Sequence, residues 1–403
     1  MSAVLATAIV LAFIALGELV SIATRARVPA LLVAMLTLFV LAKVPAPWGE
    51  GSIVPADIVE VSTMVTVGAL IQPAIMVHMG SLMPLRTMLQ QWRAVVIAGA
   101  GIVVATGVLL AVVTPLFGFE TAVAGAGPLA GGIVSTSLTT TGLTEAGITT
   151  AVVVIPSLIL MLQSLPSMPA TNFFLRRYAN KLIASGELTS DAEAPSGSPL
   201  AAGFPAAAEE RKKLVNLPPA LVNNQLFLLF LVFAAGSLAY WIGQLTGVSY
   251  SIWGLLVGIG LTALGILPDK VLERANSFTI AMAAIIFIVV APLMSASVED
   301  VIASLLPVAC ILVIGMAGIL LGGFVVTKLV KWDVNLGMSV ALTAMYGFPA
   351  DYLITQEVAR STGRDDAERS ALMERMLPPM LIGGFTSVSA GSILVASILV
   401  GLL

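Results

Sequence analysis

Charge is what this chain of 403 residues has least of. Only 10% of its residues are charged, against roughly 25% in a soluble domain. Nineteen basic and 22 acidic side chains cannot cover the surface of a soluble protein this long. That scarcity excludes a cytosolic enzyme, a nucleic-acid binder and a disordered chain. The net charge of −3 offers no basic patch for nucleic acid. Cysteine is nearly absent too. Cys310 stands alone inside an apolar run, so no intrachain disulfide and no CxxC motif exist, and it reads as a small buried hydrophobe. Histidine occurs once, as His78, with no second histidine and no acid at metal spacing. A metal site is therefore not expected, and an interfacial histidine is the preferred reading. P-loop, GxSxG and HExxH motifs are all missing, so neither ATP-driven transport nor a catalytic constellation is supported. No cofactor is expected beyond a coupling Na⁺ or H⁺.

What is present is apolar. Hydrophobic residues make up 58% of the chain, and mean hydropathy is +1.04. Apolar runs near 20 residues recur along its length, as in a polytopic membrane protein of helices. A β-barrel would instead alternate apolar and polar residues over about ten positions. The N-terminus begins apolar, without a basic n-region or a small-residue cleavage site, and reads as a first transmembrane helix.

Ten strong spans can be marked, at about 3–22, 29–46, 61–80, 94–116, 148–173, 224–246, 250–267, 276–296, 300–327 and 376–402. Two weaker segments, about 121–145 and 336–360, lie between the fourth and fifth span of each half. They are rich in Gly, Ser, Thr and Pro, and each is interrupted near its middle. Of the 19 Lys and Arg residues, all but Lys43 follow an odd-numbered span. They are Arg25 and Arg27, Arg86 and Arg93, Arg176 to Lys213, Lys270 and Arg274, and Lys328 to Arg375. The positive-inside rule makes that side cytoplasmic and puts both termini outside. Parity then requires the weak segments to enter and leave on one side, as re-entrant hairpins, the first from outside and the second from inside. Two full extra helices would instead move Arg176–Lys213 outside.

The expected architecture is therefore an all-α polytopic membrane protein with ten transmembrane helices and two re-entrant hairpins. Residues 1–175 and 223–403 form two inverted-topology repeats, an arrangement typical of secondary transporters. Residues 176–222, rich in Ala, Pro, Ser, Gly and charge, read as a cytoplasmic linker. The segment from Ala130 to Thr140 can be laid over Met345 to Thr355, so that Gly132 meets Gly347 and Thr140 meets Thr355. Further on, Pro156 meets Pro378, Gln163-Ser164 meets Thr386-Ser387, and Ser167 meets Ser389. Irregular backbone at membrane depth is tolerated only against protein or a water-filled cavity. Broken ends point half-helix dipoles inward, N-termini toward anions and carbonyls toward cations.

Asp351, in Gly347-Phe348-Pro349-Ala350-Asp351-Tyr352, is the sharpest chemical signal. An acid inside a membrane segment is costly and usually functional. It can hold a coupling cation, carry a proton or face a cationic group, and it also suits the N-cap of the following helix. The matching run in the first hairpin is Ser135-Thr136-Ser137-Leu138-Thr139-Thr140-Thr141, beside Gly131 and Gly132. Its hydroxyls and freed carbonyls suit a small cation or a carboxylate, although such hydroxyls are often satisfied by their own backbone. Gln163, Ser164, Ser167, Thr171 and Asn172 sit in a helix broken by Pro166 and Pro169. Thr386, Ser387 and Ser389 occupy the related place near Gly383 and Gly384. The expected substrate contacts are Gly132, Ser135, Thr136, Ser137, Thr139, Gly347, Tyr352, Thr355 and Thr386. The expected coupling-ion contacts are Asp351, Thr140, Ser164 and Ser387. Glu18, within the first span, suits a buried partner or a dimer contact as well as an ion role.

These elements resemble the bacterial sodium/glutamate symporter family. The likeness is clearest in Arg27-Val28-Pro29-Ala30, in Met79-Gly80-Ser81-Leu82, and in Ser339-Val340-Ala341-Leu342-Thr343-Ala344-Met345-Tyr346-Gly347-Phe348 with the helix to Thr362-Gly363. The family's glycine-rich hairpin motif becomes Gly131-Gly132-Ile133-Val134-Ser135-Thr136 in the first half. In the second, Pro349-Ala350-Asp351 stands where the family continues with glycines. The resemblance implies secondary transport, a homodimer, and a scaffold of early spans beside an elevator-like domain carrying the hairpins. An ion-coupled importer of a small organic anion or amino acid such as glutamate, in a bacterial inner membrane, is the leading expectation. The alternatives are an exporter or antiporter of a cation or amine, with Asp351 as counter-charge, and a non-transporting membrane scaffold.

Overall fold

The structure, a computed structural model, describes residues 1–24, 28–47, 51–83, 85–186, 218–347 and 350–403. Of the residues named above, Arg25, Arg27, Arg211, Lys212, Lys213, Phe348 and Pro349 lie outside that set, as does most of the 176–222 linker. The chain is an all-helical, multi-pass membrane protein. Among the described residues, eight helical stretches are long and apolar enough to cross a membrane.

The first half runs α1 (Ala3–Ala23), α2 (Ala30–Lys43), the short α3 (Ile58–Val61), α4 (Met64–Ser81), the short α5 (Leu85–Gln90) and α6 (Trp92–Phe117). It continues with α7 (Phe119–Leu129), α8 (Gly132–Glu145), α9 (Thr150–Val153), α10 (Ile155–Leu162) and α11 (Ser164–Ser185). After α12 (Pro219–Val222) come α13 (Gln225–Thr246), α14 (Tyr250–Leu264), the short α15 (Val271–Arg274), α16 (Phe278–Ser295) and α17 (Val298–Leu329). Then follow α18 (Val334–Leu342), α19 (Ala350–Thr362), α20 (Asp366–Thr386) and α21 (Ser392–Val400). The order of long, short, proline-containing and broken helices recurs, with Pro73 inside α4 and Pro292 inside α16.

Local chemistry sets many of the ends. Asn224, Ser297, Asp333 and Asp365 accept backbone N–H groups at the starts of α13, α17, α18 and α20. Gly186, Gly247 and Gly265 turn left-handed after α11, α13 and α14. Two of the ten marked spans come out short. With 14 and 15 residues, α2 and α14 rise only about 21–23 Å, less than the hydrocarbon thickness of about 30 Å. Each leans on the long helix before it.

Two packed groups result. Helices α1, α2, α4, α13, α14 and α16 pack on one another. At the centre of this group α4 meets α14 backbone to backbone. A Cβ on Gly80 would stand 2.8 Å from the Ile259 nitrogen, and one on Gly258 would strike the Val77 carbonyl. The other group is built on α6 against α17, where Gly318 and Gly322 admit Ala105 and the Ala100 carbonyl just as closely. Around that pair stand α7 to α11 and α18 to α21. The broken helices cross over. α10 packs on α7 and α8 while its continuation α11 packs on α18 and α19. Conversely α20 packs on α18 and α19, and α21 on α7 and α8.

Candidate functional site

Both weak segments are interrupted at the expected places. Between α7 and α8 the chain turns at Gly131, φ 133°, and Gly132, φ 80°. Conformations this far into positive φ leave only glycine unstrained. Between α18 and α19 the chain tightens into a 3₁₀ turn, Thr343–Met345, and passes Gly347 at φ 60°. The two tips are neighbours. A Cβ on Gly131 would stand 3.1 Å from the Ala344 carbonyl oxygen and 3.0 Å from the Cα of Val388. A Cβ on Gly347 would stand 2.6 Å from Cγ2 of that same valine. Val388 belongs to a wide π-type turn, Ser387–Gly391, that separates α20 from α21. The two tips and one helix break therefore share a single wedge residue.

Asp351 lies in the first turn of α19 with none of its surface exposed. Its Oδ1 accepts the Tyr352 N–H at 2.7 Å, while Oδ2 has no hydrogen-bond partner. Asp351 is thus inside the helix rather than at its N-cap, though it still satisfies one of the helix's first N–H groups. Gly384 of α20 lies against the free oxygen. A Cβ there would stand 2.5 Å from Oδ2 and 3.6 Å from the Cα of Gly347. A buried carboxylate oxygen without a protein donor calls for a proton, a cation or a bound water. Thr355, one turn further along, donates to the Asp351 carbonyl at 2.7 Å, and Tyr352 is buried beside it.

The hydroxyls of the first hairpin are mostly turned inward on their own helix. Ser135 donates to the Gly131 carbonyl, Thr136 to the Gly132 carbonyl at 2.9 Å, and Thr139 to the Ser135 carbonyl at 2.9 Å. Thr139 fills the space that Gly127 of α7 leaves by lacking a Cβ. Thr140 is buried with an unpartnered hydroxyl, about 12 Å along the helix axis from Gly132. Only Ser137 reaches outward, accepting from Nε2 of Gln72 on α4 at 3.2 Å. Gln72 is a lone amide in an apolar span, and that isolation is the signal the sequence carries for it.

At the matching break in the first half, α10 gives way to α11 at Gln163. Pro166 has no N–H to offer the Leu162 carbonyl. A ladder of hydroxyls follows. Tyr346, beside the second tip, donates to Thr171 at 3.0 Å, Thr171 to the Ser167 carbonyl at 3.0 Å, and Ser167 to the Gln163 carbonyl at 2.8 Å. The ladder ties the second hairpin to α11. Gln163 Oε1 and Thr386 Oγ1, one at each helix break, are buried without partners. Ser387 donates to the Gly383 carbonyl at 2.9 Å, and Ser164 is half-buried at the start of α11. The structure therefore gathers Gly131, Gly132, Gly347, Asp351, Gly384 and Val388 at one place. It leaves Thr139 and Thr140 well up the first hairpin. Val388 carried no sequence signal, because a valine in an apolar helix looks like any other.

Two residues sit otherwise than expected, and a third loses one of its readings. His78 is fully buried rather than interfacial, its Nδ1 accepting the Leu272 N–H at 3.2 Å and its ring 5.0 Å from that of Phe278. This bond secures α4 to α15. Glu18 is exposed on α1, which removes the buried partner from its three readings. Cys310 is half-buried on α17 rather than buried. No family model matches the chain, and no curated protein matches its sequence.

Proposed function

We propose that the protein is an ion-coupled secondary transporter of a small organic anion or amino acid, in which Asp351 holds Na⁺ or H⁺. The observation that carries this reading is the fully buried Asp351 with an unpaired oxygen, placed where two chain breaks meet behind bare glycine. In this reading the two broken pairs are re-entrant hairpins from opposite faces. With ten spans they form two inverted repeats, at residues 1–175 and 223–403. Both termini are outside the cytoplasmic membrane of a bacterium. The crossed packing of α10–α11 and α20–α21 supports the repeat, since each broken helix packs first on the hairpin of its own half and then on the hairpin of the other. The resemblance to sodium/glutamate symporters supports the reading too, along with a homodimer and an elevator-like movement of the hairpin group. The substrate carboxylate would meet the first N–H groups of α8, which have no partner within the helix. Ser135 and Thr136 would shape that end rather than donate, because their protons are already engaged.

The test is thermal stabilisation of the purified protein by Na⁺ and by a panel of carboxylates and amino acids. A ligand bound only by the native state raises its stability by mass action. Stabilisation by Na⁺ or a shift with pH, lost in Asp351→Asn while the fold survives, supports the role. An unchanged response in that variant sinks it. A second reading, an exporter or antiporter of an amine, draws on the same acid and on the absence of a basic residue in either tip. It requires substrate-dependent proton release and no Na⁺ stimulation. Inactivity of reconstituted protein against the whole panel favours a non-transporting scaffold.

A further inference from the structure

The two packed groups touch unevenly. Contact runs through α8 and α10 on α16, α10 on α2, α21 on α14, and the π-type turn on α4. Three side-chain hydrogen bonds cross the same seam. Gln72 donates to Ser137 at 3.2 Å, Ser157 of α10 donates to the Val289 carbonyl of α16 at 2.5 Å, and Ser251 of α14 pairs with Ser397 of α21 at 2.8 Å. All five side chains are buried. Apart from the π-type turn, which lies between the two tips, the elements of the hairpin group in these contacts belong to the first hairpin or to the helix halves packed on it. α11, α18, α19 and α20 have no comparable packing on α1, α2, α4, α13, α14 or α16. Those four carry the second hairpin, and Lys181, Asp333, Arg360 and Arg364 lie at its mouth.

We infer that this is the conformation open on the side of the second hairpin, held there by the three hydrogen bonds as a latch on the opposite side. The inference rests on the transport reading for its purpose, but its geometry stands apart from it. Any movement of the hairpin group past α4 and α16 must break Gln72–Ser137, Ser157–Val289 and Ser251–Ser397. Within each group the contacts are of another kind. Glycine seams bring backbones together and leave nothing to slide. Bonds within a group, such as Ser304 to the Ala151 carbonyl at 2.6 Å, survive the movement.

The test uses full-length protein with Cys310→Ser and exposed spin-label sites, Gln356→Cys on α19 of the second hairpin and Arg274→Cys on α15, which packs on α4, α13 and α16. Pulsed electron spin resonance reads the distance across the gap. The unaltered latch should give mainly the long distance. Gln72→Leu, Ser157→Ala and Ser251→Ala should each shift the ratio of long to short populations roughly fivefold toward short. Ser304→Ala should leave the distribution unchanged. A distribution unchanged from the unaltered protein in all three latch variants and in their combination overturns the inference, as does an equal shift in Ser304→Ala. Retained thermal unfolding confirms that each variant is folded before its distances are read. If the distances shift while no substrate moves in liposomes, the latch stands and the transport reading fails. If substrate moves with unshifted distances, the transport reading stands and the latch fails.

Discussion

The two broken segments share a plan and differ in chemistry. The first is the richer in polar side chains, with six hydroxyls between Ser135 and Thr141, yet Ser135, Thr136 and Thr139 give their protons to carbonyls one turn back. The second has one acid, and that acid keeps an oxygen free against Gly384. A hydroxyl in a helix can give its proton to a carbonyl one turn back, whereas a carboxylate has no proton to give. Polar content is therefore a poor measure of a site, and unsatisfied acceptor capacity is a better one.

That contrast can be broken at several points. The largest effect belongs to Asp351→Asn. At an ion concentration a hundred times Kd, the stabilisation lost is about 2.7 kcal/mol, read as disappearance of the ion-dependent rise in Tm. Without ion the variant should be at least as stable as the parent, because a buried charge has been removed. A retained ion response would place the site elsewhere. Gly384→Ala comes next. Its Cβ would press on the Asp351 carboxylate, so a cost of about 1–3 kcal/mol in stability should accompany a weakened ion response in the same melting assay. Thr136→Val should cost less than about 1 kcal/mol and leave ion binding alone, since its hydroxyl serves only its own helix. A loss of ion binding there as large as in Asp351→Asn would erase the distinction between the hairpins.

The smallest effect is expected at the mouth of the second hairpin. Burial raises the pKa of Asp333. The hydrogen bond from Lys181, at 2.7 Å, and the N–H groups of Asn335 and Leu336 outweigh it and hold the carboxyl below its ordinary value. Its stabilisation is thus present above about pH 4 and is lost as pH falls through the lowered folded value. Asp333→Asn keeps the cap but removes the charge. It should change stability by no more than about 1 kcal/mol at neutral pH and flatten the acid limb of a Tm-against-pH curve. An unaltered acid limb would show that the ion pair contributes nothing.

Much of this arrangement was readable beforehand. Apolar runs located the long helices, and Gly131, Gly132 and Gly347 located the interruptions, because burial and positive φ each leave a residue-level mark. The alignment of Gln163-Ser164 with Thr386-Ser387 fell on the two points where the fifth span of each half breaks. Other features left no such mark. The shortness of α2 and α14 depends on what they lean against. The exposure of Glu18 and the burial of His78 depend on which way a helix face turns. Val388 acquires its place only when two tips and a π-type turn converge. Tertiary approach of this kind involves residues far apart in the chain, and a period of 3.6 residues carries no trace of it.

The glycine seams between α4 and α14 and between α6 and α17 have a mechanical consequence. Two helices whose backbones touch over successive turns behave as one stiff beam, because no flexible side chain lies between them to take up strain. Compliance must then reside in the connectors between the two packed groups, such as residues 296–297 between α16 and α17. A single Cβ added at Gly258 or Gly318 would loosen a lever rather than merely swell a core.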